Sequence, residues 1–437
     1  MTTTAIILAA GLGTRMKSAL PKTLHKIAGR PMLNHLLDSA SQVFDRIVVV
    51  LGPDMDLVAA AAAPHAVVVQ QDRLGTAHAA LQAEALFGDG EVAVLYADNP
   101  LISPETLRRL LASRAEGHAE LALLAMRPAD PARYGRVMVE DGYVTGIVEY
   151  ADASDAQRAI GLCNAGVLCA EAGAMRRWLQ QVRNDNSKGE YYLTDLVKLA
   201  RAEGGHVVAV EAPAEELRGI NSREELSDAE ASVQRALRRA AMADGVTLVA
   251  PETVFFTHDT RIAADVTVEP HVVFGPGVVI ESGAEIRAFS HLEGCHVGPA
   301  AIIGPYARLR PGTTIGRAAH VGNFVELKAT SLGDGAKANH LSYLGDSSIG
   351  ARTNIGAGTI TCNYDGFAKH RTTIGAGVFV GTASVLVAPL RLGDGAFTAA
   401  GSVITHSVAP DAMAFGRAPQ IDKPGRAAAF RAARAKK

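Results

Sequence analysis

A chain of 437 residues exceeds what one hydrophobic core usually serves, so two or three folded units are expected. Its 43 Lys and Arg nearly cancel its 45 Asp and Glu, which excludes the whole-protein field that drives nucleic-acid or membrane binding and leaves partners to local sites. Cys163, Cys169, Cys295 and Cys362 form no CxxC pair, which excludes a disulfide framework and a four-cysteine zinc site and makes a reduced, cytoplasmic protein the expectation.

The opening run MTTTAIILAAGLG has the apolar character of a secretory leader, but no basic residue precedes Arg15. No stretch reaches the ~18 apolar residues that a membrane span needs, so neither a cleaved leader nor membrane contact is expected. From residue 4 to about 220, β-branched runs (AIILAA, RIVVVLG, AVVVQQ, EVAVLYAD, HVVAVEA) alternate with Ala/Leu-rich segments such as 104–116. That alternation predicts βαβ units around a mostly parallel sheet, a Rossmann-like α/β domain over residues 1–222. Residues 223–244 carry no strand signal and set Leu226, Ala229, Val233, Leu237 and Met242 at roughly helical spacing, which predicts a linker helix.

Residues 245–437 change period. An aliphatic or small residue recurs every sixth position from Ile262 to Leu292, from Val297 to Leu327, from Leu332 to Leu344, from Ile349 to Thr361, and from Ile374 to Ile404. Each hexad reads as one short strand and a corner, with the marked side chain inward and a following Gly, Asp, Glu or Pro serving the turn. Three corners close a coil, and about eight coils stacked at ~4.8 Å make a prism roughly 40 Å long. The 5% aromatic content suits such repetition. The jump from Thr361 to Ile374 predicts that CNYDGFAKHRTT leaves the prism as a loop, either a neutral insertion or a functional one. From Arg417 onward the tail holds seven basic residues and one acid, and reads as a solvated terminus or as a phosphate-contacting arm.

Chemistry begins directly after the first strand. In Leu8-Ala9-Ala10-Gly11-Leu12-Gly13-Thr14-Arg15-Met16, glycines allow backbone approach to a phosphate while Arg15 and then Lys22 supply charge. The spacing is neither GxxxxGK[ST] nor GxGxxG, so P-loop hydrolysis and dinucleotide binding lose support, while a purely structural glycine turn stays open. Asp98, before Asn99-Pro100, reads from its neighbours as part of a strand-ending turn, and Asn221, before Ser222, as a helix cap.

LAAGxGTRM with Pro21-Lys22, QxxxxGT (70–76), EYYLTD (190–195), the hexapeptide half and TCNYDG together resemble the bacterial bifunctional N-acetylglucosamine-1-phosphate uridylyltransferase and glucosamine-1-phosphate N-acetyltransferase family, over nearly the whole chain. The resemblance implies a left-handed parallel β-helix after the α/β domain. It implies UTP and N-acetylglucosamine 1-phosphate at the first site, with Ala10, Gly11, Gln70, Gly75 and Thr76 on the nucleotide, Arg15 and Lys22 on its phosphates, and Leu8, Ala9, Tyr96 and Ala97 also on substrate. Asp98 and Asn221 would bind Mg²⁺, and Gly135, Glu149 and Asn164 would contact the sugar. Aligning a sugar phosphate with a tetra-anionic nucleotide demands charge neutralisation more than a base. Ala97 departs from the family's usual Gly, which bears on one close backbone contact to the sugar.

At the second site the resemblance implies acetyl transfer from acetyl-CoA to glucosamine 1-phosphate, with His340 of KANHLSYLGD as general base. Arg310, Lys328, Tyr343 and Asn354 would hold the sugar phosphate, and Ala357, Asn363, Tyr364, Thr382, Ala400 and Arg417 the acetyl-CoA. Relatives are homotrimers with acyl-donor sites between neighbouring prisms, so Arg417 and the tail would act on an adjacent subunit. Three rivals remain: a pyrophosphorylase whose β-helix is only an assembly scaffold, a trimeric zinc hydro-lyase using the scattered histidines, and a purely structural binding module. The intact NHLSYLGD and TCNYDG phrases weigh against the first.

Overall fold

In the computed structural model, which describes residues 2–116 and 119–435, the apolar run near the start of the chain forms the central strand of a sheet. Thr4–Leu8 is buried throughout and pairs in parallel with Arg46–Leu51 on one side and Glu91–Tyr96 on the other. Helices cover both faces of such a strand, so its sequence is unbroken aliphatic rather than alternating. The sheet runs in the order Val207–Glu211, Leu121–Met126, Cys163–Glu171, Glu91–Tyr96, Thr4–Leu8, Arg46–Leu51, Ala66–Val69. Cys163–Glu171 is antiparallel to both neighbours, and the hairpin Arg136–Glu140 with Tyr143–Val148 attaches at its beginning. The β-branched runs predicted the parallel strands except Leu121–Met126, and neither this antiparallel strand nor the hairpin. Chain connections diverge on either side of Thr4–Leu8, and the crevice at such a switch point, beyond the strands' C-terminal ends, is where an open α/β sheet binds ligands.

The chain divides into two compact units between Val233 and Gln234, inside the helix Arg223–Ala243. In the first unit Leu226, Ala229 and Val233 pack with Ile27, Met32 and Ile220. In the second, Leu237 and Ala241 pack against the β-helix core, while Met242, placed on the apolar stripe by spacing, is exposed.

The second unit is a left-handed parallel β-helix. Its strands of two to four residues form three parallel sheets of ten, eight and eight strands, and successive members of a sheet come from successive coils. Of the marked hexad positions all but Ile262 are buried. They form one continuous core in which each coil covers its neighbours' apolar ends. Residues between Cys362 and Thr372 leave the prism, as the broken period predicted, with Tyr364 and Lys369 bridged antiparallel across the loop.

One corner departs from the expected turn chemistry. His271, Phe289, Tyr306 and Phe324 stand there on successive coils with φ between 55° and 61°, where glycine or asparagine is usual. Their rings stack at centroid spacings of 4.9, 4.9 and 5.3 Å, and this stacking offsets the strain. Leu341, at φ 50°, continues the column.

The core predicts a sharp contrast between inward and outward positions. Leu327→Ala is expected to lower the unfolding free energy of the β-helix by about 3 kcal/mol, while exposed Thr314→Ala changes it by less than ~0.5 kcal/mol. Urea titration followed by circular dichroism checks this, and equal shifts in both variants would contradict the inward assignment.

Candidate functional sites

The C-terminal ends of Thr4–Leu8, Ala66–Val69 and Glu91–Tyr96 open onto a cleft of about 220 Å³. Leu8, Ala9, Ala10, Gly11, Lys22, Gln70, Gly75, Thr76, Tyr96, Ala97 and Asp98 line it, so most of the residues carried by the first strand's motif and QxxxxGT converge. Arg15, Gly135, Glu149, Asn164 and Asn221 lie outside that lining. Arg15 is exposed. The sugar-side trio is itself gathered: Gly135 O accepts from Asn164 N at 2.8 Å, and the Glu149 carboxylate stands beside Gly135. Burial raises the Glu149 carboxyl pKa, against the opposing charge of Lys188.

Lys22 occupies the charged end of the cleft. Its Nζ lies 2.6 Å from Asp98 Oδ2 and 2.9 Å from Asn221 Oδ1. Gly13, at φ 61°, brings the loop against this lysine, because a Cβ there would stand 2.5 Å from Lys22 Cβ. Asn221 is not the helix cap. Ser222 Oγ accepts from Glu225 N, and Glu225 Oε2 accepts from the N–H groups of Ser222 and Asn221, a reciprocal cap that leaves the Asn221 amide oxygen for the cleft. Lys22 is a stand-in cation between a carboxylate and an amide oxygen. This hard-oxygen pair fits Mg²⁺, which keeps several waters and takes one or two protein ligands.

EYYLTD forms the wall behind QxxxxGT. Gly75 sits at φ 123°, where a Cβ would approach Tyr191 O to 2.5 Å, so only glycine admits this strand-like contact. Leu193 N donates to Thr76 Oγ1 at 3.0 Å and Ala77 N to Tyr191 O at 2.9 Å. Burial pushes the Tyr96 phenol pKa up, against its hydrogen bond with Thr76. The methyl of Ala97 is buried in the core beneath the sheet, which is how the departure from glycine is accommodated. Thr23, Arg73, Ala79 and Glu190 also line the cleft and were not anticipated. Arg73 Nε donates to Ala10 O at 2.7 Å, and a cation inside QQDRLGT was the signal available for it.

In the second unit, register brings the predicted residues into two columns. Val321, Ala338, Ile355, Val380 and Thr398 are paired on successive coils of one sheet. Two residues beyond each stand Asn323, His340, Ala357, Thr382 and Ala400, so the candidate base and three of the candidate acyl-donor contacts share one line. His340 is exposed, and its Nδ1 lies 2.8 Å from Asn323 Oδ1. Thr382, Ala400 and Arg417 are exposed as well. Asn354 lies on the outer face of the same sheet, one coil beyond Lys337.

On the adjoining sheet Arg308 and Leu309 pair with Glu326 and Leu327, which pair with Tyr343 and Leu344. Arg310 NH1 donates to Glu326 Oε1 at 2.9 Å, and Lys328 Nζ reaches both Asp346 carboxylate oxygens at 3.1 Å. Burial alone would raise the Asp346 pKa, but hydrogen bonds from Asn363 and Lys328 hold it below the ordinary carboxylate value. Lys369 of the extruded loop, not anticipated, stands near Lys328, whose positive charge lowers its pKa. Lys328, Arg310 and Lys369 thereby crowd into one cradle, and an anion bound there relieves their repulsion. Tyr364 is exposed on the loop, whose turn is held by Asp365 accepting from Phe367 N, Ala368 N and the His370 ring. Among the described residues no group of three or more His, Cys, Asp or Glu gathers to hold a metal, and no helix is long and apolar enough to cross a membrane.

Residues 5–160 match the MobA-like NTP transferase domain family. The chain is 70% identical over 434 residues to a protein of Gluconacetobacter diazotrophicus named bifunctional protein GlmU, covering 98% of this chain and 94% of that one. It is 63% identical over 437 residues to a protein of the same name from Acidiphilium cryptum, covering 100% of each. The corresponding protein of Granulibacter bethesdensis is 65% identical over 432 residues, with 98% and 96% covered.

The raised pKa of Glu149 makes a signed prediction. The folded chain holds its proton more tightly than the unfolded chain, so its contribution is fully present below the ordinary value of 4.5 and is lost as pH rises through the folded one. Glu149→Gln is therefore expected to stabilise the first unit at about pH 7 and to converge on the unsubstituted chain near pH 4. Denaturation midpoints at the two pH values check it, and a pH-independent difference would contradict the burial argument.

Proposed function

The chain belongs to the family of bifunctional GlmU proteins, and on that premise we propose that its two units carry out two transfers on the way to UDP-N-acetylglucosamine. The β-helix transfers acetyl from acetyl-CoA to glucosamine 1-phosphate, and the α/β unit transfers uridylyl from UTP to N-acetylglucosamine 1-phosphate, releasing pyrophosphate. Near-full-length identity to relatives named bifunctional favours this over a single pyrophosphorylase with a scaffold. The observation that carries the reading is the coexistence of the Lys22–Asp98–Asn221 cation site with a separate column that begins at His340.

In the acetyl transfer, the sugar amine nitrogen forms its bond to the thioester carbonyl carbon, His340 takes the amine proton, the C–S bond breaks and CoA leaves as thiolate. Arg310, Lys328 and Lys369 hold the sugar phosphate at the flank, with Tyr343 and Asn354 beside them. Asn363, Tyr364, Ala357, Thr382, Ala400 and Arg417 take the acyl donor along the corner. In the uridylyl transfer, a phosphate oxygen of the sugar attacks the α-phosphorus and the bond to the β-phosphate bridging oxygen breaks. Lys22 and Arg15 neutralise phosphate charge, Gln70, Gly75 and Thr76 orient the nucleotide, and Gly135, Glu149 and Asn164 orient the sugar. Asp98 and Asn221 hold Mg²⁺, which when bound supplies charge neutralisation at the phosphates. Assembly as a homotrimer, with Arg417 and the basic helix Arg426–Arg434 reaching a neighbour, fits the wholly exposed tail and the exposed apolar side chains Ile360, Phe379 and Val403.

Single substitutions are expected to separate the activities. His340→Ala abolishes CoA release from acetyl-CoA and glucosamine 1-phosphate while leaving UTP-dependent pyrophosphate release intact. Asp98→Asn does the reverse, lowering pyrophosphate release at least ~100-fold. Loss of both activities in either folded variant, or retained CoA release without His340, would contradict the division.

A further inference from the structure

Resting on the acetyl-transfer reading of this column, we propose that Asn323 is a positioning residue that fixes which nitrogen of His340 takes the proton. Asn323 and His340 are register partners on adjacent coils, and Leu341 N donates to Asn323 O at 3.1 Å, so the two backbones are locked at this corner. The 2.8 Å contact joins His340 Nδ1 to the Asn323 amide oxygen, which accepts and cannot donate. Nδ1 therefore carries the hydrogen, and the lone pair of the neutral ring lies on Nε2.

The choice of amide over carboxylate is the informative feature. An aspartate in this position would orient the ring equally well, and its charge would favour imidazolium. The neutral amide orients the ring without adding that charge. The other charges around the ring follow the same logic. Lys337 shares its strand, and His320 lies on the coil below, its pKa lowered by burial first and then by Arg287, Lys337 and His340. The coil above presents Asn354, Ala357 and Gly358, none of them ionisable. On the adjoining face stand Tyr343 and Glu326, and the Glu326 carboxylate is engaged by Arg310. Glu285, on the same sheet, acts on His320 in the opposite sense to these cations.

The test is the pH profile of CoA release in the full-length protein, with pyrophosphate release as an internal measure of folding. Asn323→Asp is expected to keep kcat at high pH and to move the acidic limb of kcat/KM upward by about one pH unit. Asn323→Ala is expected to lower kcat about tenfold, with little change in the KM for acetyl-CoA and an unmoved limb. Superimposable profiles for Asn323→Asp and the unsubstituted chain would overturn the inference. So would full activity in Asn323→Ala. If the unsubstituted protein releases no CoA, the acetyl-transfer reading itself falls. If it does, and only His340→Ala abolishes release while the Asn323 variants behave normally, the assignment to Asn323 alone falls.

Discussion

Backbone hydrogen bonds between successive coils, at the ~4.8 Å strand spacing, are the constraint on which the second site depends. They fix register, and register turns residues about 17 to 25 positions apart in sequence into lines along the prism. Asn323, His340, Ala357, Thr382 and Ala400 become neighbours for no reason other than this pairing. The inward aliphatic residues hold the register, since a slip by one residue would turn the core outward. An extended, ordered edge is what a long, flexible acyl donor needs, and a β-helix supplies it from short repeats.

The α/β unit solves a different problem. Three of its parallel strands, Thr4–Leu8, Ala66–Val69 and Glu91–Tyr96, end at the crevice, and the divergence of connections beside Thr4–Leu8 leaves room there for a ligand. Glycine is spent at two places, Gly13 and Gly75, where a side chain would collide with Lys22 or with the Tyr191 backbone. Those close approaches bring together segments far apart in the chain, including Lys22 with Asn221 and Thr76 with Leu193. The resulting cleft gathers Lys22, Arg73, Asp98 and Glu190 with the apolar Leu8, Ala9, Ala10 and Ala79.

Much of this was legible in the sequence because it is periodic or local. The hexads announced the prism, and the broken period at Thr361 announced the loop. The strand-then-glycine pattern announced the first cleft. What was not legible depends on contacts between distant segments. The antiparallel strand Cys163–Glu171 has the same aliphatic composition as its parallel neighbours, so composition could not reveal its direction. Ser222 rather than Asn221 caps the long helix, a choice settled by where Glu225 reaches. Lys369 and Asn323 carry no distinctive local signature, and the fold alone shows what they face. The aromatic corner, with bulky residues in left-handed backbone, runs against local propensity because stacking between coils compensates it.

The most direct measurement is a crystal structure of the protein with acetyl-CoA bound. It is expected to show the donor running along the corner past Ala357, Thr382 and Ala400, with its acetyl group beside His340 Nε2. Density for the donor on another face of the prism, or an acetyl group out of reach of His340, would contradict the account.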